Sequence, residues 1–112
     1  QFIMSENIEL IYDEDEAIKF ILKNLPKELQ AKCTKDEVEY VLDLVYEMYE
    51  ENGYLDENST EEVLIDEEEV LKYVLKHLKE EKNFDLDAEE VRYILDGEFK
   101  YCQSIGIFTD EK

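Results

Sequence analysis

Apolar residues recur at intervals of three and four along four stretches of the chain: Ala17, Ile18, Ile21, Leu22 and Leu25; Val38, Val41, Leu42, Val45, Met48 and Tyr49; Val70, Leu71, Val74, Leu75 and Leu78; Val91, Ile94, Leu95, Phe99 and Cys102. Each spacing places one stripe of a helix against a core. In the second stretch Tyr40 and Leu44 add a further strip, so that helix is expected to be covered on two sides. The starts are marked alike. Asp13, Thr34, Asp66 and Asp87 can each cap a free backbone N–H, and each is followed three residues on by Glu16, Glu37, Glu69 or Glu90, the pattern of a capping box. Pro26 ends or kinks the first helix, and Lys27 to Cys33 reads as a connector. Gly53 is placed as a left-handed C-cap, with Tyr54-Leu55 folding back on the last turn, and Gly106 is its counterpart at the end of the fourth helix.

The stretch Val38-Glu39-Tyr40-Val41-Leu42-Asp43 returns as Val91-Arg92-Tyr93-Ile94-Leu95-Asp96, an offset of 91 − 38 = 53 residues. Carried without a gap, the offset aligns 9–57 with 62–110, and 15 of the 49 pairs are identical. The chain is one unit written twice, with 58–61 between the copies. Units of ~50 residues are marginal alone, because they bury too little surface. The expected fold is therefore all-α: one domain over 1–112, with four main helices as two helical hairpins related by a pseudo-twofold axis around one shared core. Val63-Leu64-Ile65 repeats Leu10-Ile11-Tyr12, and Tyr12 and Ile65 sit where a hydrophobic staple would pack on Ala17 and Val70. Pairing of these triplets as strands with Tyr54-Leu55 or Ile107-Phe108 is the less favoured arrangement, since isolated short strand pairs are marginal. Residues 1–8 are expected to be flexible, with Met4 the natural start and Gln1-Phe2-Ile3 foreign to it. Gly97 stands opposite Leu44 in the alignment and implies a close helix crossing, with Leu44 the expected neighbour.

Composition changes the picture through charge. Against 12 basic residues stand 32 acidic ones, a formal net charge of −20. Such a surface repels nucleic-acid phosphate, so direct nucleic-acid binding is not expected. It suits a basic protein partner or simply maintains solubility. With 44% hydrophobic residues and only four Gly and Pro (3 + 1), the chain is a folded one rather than an acidic tail. No apolar run reaches membrane length, and the N-terminal stretch lacks the basic residue and apolar run of a signal peptide, so a cytoplasmic protein is expected. Cys33 and Cys102 align with Leu86 and Tyr49, which marks them as buried thiols rather than a disulfide or a metal pair.

Little of this is reactive chemistry. Asn52-Gly53-Tyr54-Leu55-Asp56 resembles the middle of an EF-hand loop, but with Gly53 at the sixth position the first and twelfth become Met48 and Ser59. A second register, Asp56, Asn58, Thr60, Glu62 and Glu67, supplies oxygens yet has Glu61 where the turn needs Gly. His77 near a helix C-terminus suits the dipole there. No nucleophile elbow or phosphate loop occurs, so no catalytic residue or cofactor is assigned and the protein reads as non-enzymatic. Tyr40 and Tyr93 are the interaction candidates. Core packing is expected for both; were they exposed, they would form an aromatic, acidic surface suited to a basic partner or to self-association.

The stretches Asp36 to Asp43, Asn52 to Asp56, Val70 to Leu78 and Asp96-Gly97-Glu98 are together similar to a group of short acidic helical proteins from Bacteroidetes. The resemblance covers most of the chain, rests on capping and core residues, and implies a small cytoplasmic helical protein. It transfers no functional residue. The functional expectation is an acidic protein-interaction module; a nucleic-acid mimic that occupies a DNA- or RNA-binding protein and a divergent calcium-binding protein are the alternatives.

Overall fold

In the computed structural model, which describes residues 2–4, 11–55, 63–81 and 86–110, the dominant material is helix. The long helices are α1 (Glu14–Asn24), α3 (Lys35–Glu51), α4 (Glu67–Leu78) and α5 (Ala88–Ser104). Between α1 and α3 lies α2 (Lys27–Lys32), where a connector was expected. Pro26 both ends α1 and starts α2: it lacks the N–H that α1 would need, while its carbonyl accepts from Leu29 and Gln30.

The caps follow the sequence with one variation. Asp13 and Asp87 accept from Glu16 N and Glu90 N, and Thr34 with Glu37 forms the full reciprocal box. Asp66 instead accepts from Glu68 N, two residues on. Gly53 (φ +74°) and Gly106 (φ +84°) are the left-handed C-caps. Tyr54 N–H returns to Tyr49 O and Ile107 N–H to Cys102 O, both at 2.9 Å. The fold-back buries Ile107 fully and brings the Tyr54 ring to 6.0 Å from that of Tyr49.

The core runs through all four long helices, from Ile18 and Ile21 through Val38, Val41 and Val45 to Val74, Val91 and Ile94. Its most extensive helix interfaces are α1 with α5 and α3 with α4. Gly97 lets α1 approach α5: a Cβ there would stand 3.2 Å from Ile21 Cγ1 and 3.4 Å from Ile21 Cα. The close crossing is present, but its partner is Ile21, not Leu44.

An all-α fold is incomplete, because a small sheet closes one end. β1 (Phe2–Met4) is its central strand, flanked by β2 (Leu64–Ile65) and β3 (Phe108–Asp110), both antiparallel to it. Phe2 faces Ile65 on one side and Asp110 on the other, and Met4 faces Phe108. Phe2–Met4, expected to be flexible and partly foreign, is thus the strand that joins Leu64–Ile65 to Phe108–Asp110; residues 1 and 5–8 lie outside the described residues. Neither outer strand would persist alone, and a third strand with an apolar face supplies the missing support. That face is aromatic: the Phe2 ring lies 5.5 Å from Phe99 and 5.6 Å from Phe108. Ile65, expected to staple α4, is buried as part of β2.

Candidate functional site

The two interaction candidates part company. Tyr40 is half-buried and packs against the core, while Tyr93 is 42% exposed on α5, against the expectation of core packing. Tyr93 and Glu89 border two cavities. One, of about 360 Å³, has Leu71, Leu95 and Phe99 with Glu67, Arg92 and Asp96; the other, of about 240 Å³, adds Glu28, Asp87 and Glu90. An exposed phenol therefore stands among carboxylates.

Further along α5, Glu98 is the most buried acid among the described residues. It lies on the buried stripe of α5 with Val91, Ile94, Leu95 and Cys102, and only 2% of it is exposed. Its repeat counterpart is Val45, a core residue of α3. The Tyr12 hydroxyl donates to both carboxylate oxygens, at 2.8 and 3.0 Å. Tyr12 is held for this by an edge-on contact with Tyr101, ring centres 5.6 Å apart, rather than serving only as a staple on Ala17. Among the described residues no basic side chain forms an ion pair with Glu98. Burial therefore pushes its carboxyl up to about 7; the nearby Glu14 adds to the rise and the Tyr12 hydrogen bond opposes it. Burial, followed by the charge of Glu98, raises the Tyr49 phenol and the Cys102 thiol as well. The Tyr49 hydroxyl is buried without a hydrogen-bond partner among the described residues.

A cavity of about 380 Å³ opens over Glu98, with Leu42 and Val45 as apolar wall and Tyr12, Tyr46, Glu14 and Asp43 around it. Glu14, Asp43 and Tyr46 are exposed and form the rim; Glu98 is the floor. Burial, then Asp43, Glu39 and Asp15, raises the Glu14 carboxyl, and burial followed by Glu39 raises that of Asp43. Four of the lining residues, Glu14, Leu42, Asp43 and Tyr46, have their counterparts 53 positions later, Glu67, Leu95, Asp96 and Phe99, in the cavity beside Tyr93. In each cavity these four residues come from the start of one helix and the middle of another.

A second buried acid, Glu90, is 3% exposed and takes an ion pair from Lys32 of α2 on Oε1, while Oε2 is buried without a hydrogen-bond partner among the described residues. Burial, then Glu90, raises the adjoining Cys33 thiol. Cys33 and Cys102 are both buried and free. His77 Nδ1 lies 2.9 Å from Tyr73 O, and its ring stacks on Tyr73. Of the weak calcium register, Asp56, Asn58, Thr60 and Glu62 lie outside the described residues and Glu67 is an exposed residue of α4. Among the described residues no group of three or more His, Cys, Asp or Glu side chains is placed to hold a metal ion, and no helix is long and apolar enough to cross a membrane.

Sequence reasoning gave Glu98 no role. The signal was nevertheless there: a carboxylate occupies the position where the other copy has a core valine. No protein-family model, curated protein or solved structure matches the chain.

Proposed function

We propose that the protein is a cytoplasmic, non-enzymatic interaction module whose acidic, aromatic surface binds a basic protein partner. The observation that carries this reading is Tyr93, 42% exposed between two cavities lined by carboxylates, because an exposed aromatic among acids attracts cations through both its face and its surroundings. The net charge of −20 accelerates encounter with a basic surface. We further read the module as two helical hairpins related by a pseudo-twofold axis. In support, the 53-residue offset exchanges the α1–α5 and α3–α4 interfaces, the two most extensive between helices, and it relates four residues lining the cavity over Glu98 to four lining the cavity beside Tyr93.

The test is a pull-down from the native host at low and then physiological salt, with Tyr93→Ala beside the wild type. A basic protein retained by the wild type and lost with Tyr93→Ala supports the module. Retention of no basic protein at either salt removes the proposal. A retained DNA- or RNA-binding protein released by competing nucleic acid selects the mimic as the specific form of the module.

A further inference from the structure

The two related cavities differ in charge. Beside the second lie Arg92 and Lys100, and each is paired: Arg92 Nη1 with Glu68 at 3.0 Å and Lys100 Nζ with Asp96 at 3.0 Å. At the same positions the first copy has Glu39 and Glu47. The first cavity consequently gathers Glu14, Glu39 and Asp43 around its mouth and the uncompensated Glu98 on its floor, next to an apolar wall and the exposed Tyr46. One copy provides cations from its own chain where the other has none.

We propose that the cavity floored by Glu98 receives one long basic side chain, lysine or arginine, of a partner protein, supplying the cation that the second cavity has in its own Arg92. This rests on the reading of the protein as a module for basic partners, and it identifies the anchoring point. The chemistry fits in three respects. The apolar stem of lysine or arginine suits Leu42, Val45 and the ring of Tyr46. The field of the charged head, seated at the floor, relieves the mutual repulsion of Glu14 and Asp43 at the rim. At the floor, a cation gives Glu98 the countercharge that Tyr12, a neutral donor, does not, and the proton held by Glu98 passes to solvent as the ion pair forms. A volume of about 380 Å³ exceeds the space one such side chain needs.

The test is an NMR titration of the labelled protein with acetyl-Gly-Lys-Gly-amide at fixed ionic strength, with the norleucine peptide as the uncharged match. Saturable shifts should centre on residues 12–14, 39–46 and 98 and be absent with norleucine. Glu39→Arg, which copies the second repeat, should weaken binding about tenfold, the scale of losing one or two charge-assisted contacts. Glu69→Arg, the same charge change at an exposed position on α4, which contributes no residue to this cavity, should alter it by less than about twofold, because screening confines surface electrostatics to about 10 Å. Equal weakening by the two variants, shifts spread over all acidic faces, or equal binding of norleucine overturns the socket. In the pull-down, a basic partner still retained by Glu39→Arg at wild-type strength defeats the socket and leaves the module standing. Peptide binding in the cavity with no basic protein retained defeats the module instead.

Discussion

Replacing Glu98 by Gln keeps the shape and the hydrogen bond from Tyr12 but removes the ionisable proton, so it isolates what burial of this carboxyl costs. In the unfolded chain the carboxyl titrates near 4.5, and in the fold at about 7. Between these values the folded protein holds the proton and the unfolded chain does not. Stability contributed by the protonated acid is therefore complete below about 4.5 and is lost as pH rises to about 7. At about 1.4 kcal/mol for each tenfold change in proton affinity, the whole loss is about 3 kcal/mol. Glu98→Gln escapes it. Its stability relative to wild type should rise from below about 1 kcal/mol at pH 5 to about 3 kcal/mol at pH 8. Repulsion among the other acids affects both proteins alike and cancels in the difference. Urea unfolding followed by circular dichroism from pH 5 to 8.5 gives the two curves, away from the pI near 4.2 where an acidic protein precipitates. Parallel curves over that range would refute the assignment of Glu98 as a buried, uncompensated acid.

Three further substitutions probe the frame around it. Gly97→Leu forces a side chain against the Ile21 backbone and should lower stability by about 1–3 kcal/mol or more; an unchanged melting temperature would remove the close α1–α5 crossing. Tyr49→Phe deletes a buried hydroxyl that has no partner among the described residues, so its melting temperature should hold or rise, whereas a loss above about 1 kcal/mol shows that the hydroxyl is satisfied. Lys32→Met strips Glu90 of its cation. Because Lys32 is itself half-exposed, the expected loss is about 1–3 kcal/mol, less than for a fully buried pair; an unchanged melting temperature would show that the pair contributes nothing to stability.

The helices were legible in the chain because their causes are local. Stripe spacing, the capping residues Asp13, Thr34, Asp66 and Asp87, and the left-handed glycines Gly53 and Gly106 act within a turn or two, and all stand where the sequence puts them. The short helix after Pro26 was missed because its six residues carry no apolar stripe, and none of them is buried. The sheet was missed for a different reason: Phe2–Met4 has no counterpart in the repeat, and its value as a strand exists only once Leu64–Ile65 and Phe108–Asp110 are brought to either side of it. Tyr40 and Tyr93 occupy the same position of the repeat, yet the packing of neighbouring elements leaves one half-buried and the other exposed. Glu98 shows the same division most plainly. Its oddity is written in the chain as an acid opposite Val45, but a carboxyl becomes hard to ionise only when distant residues take its water away, and Tyr12, 86 positions earlier, is set against it by the tertiary fold alone.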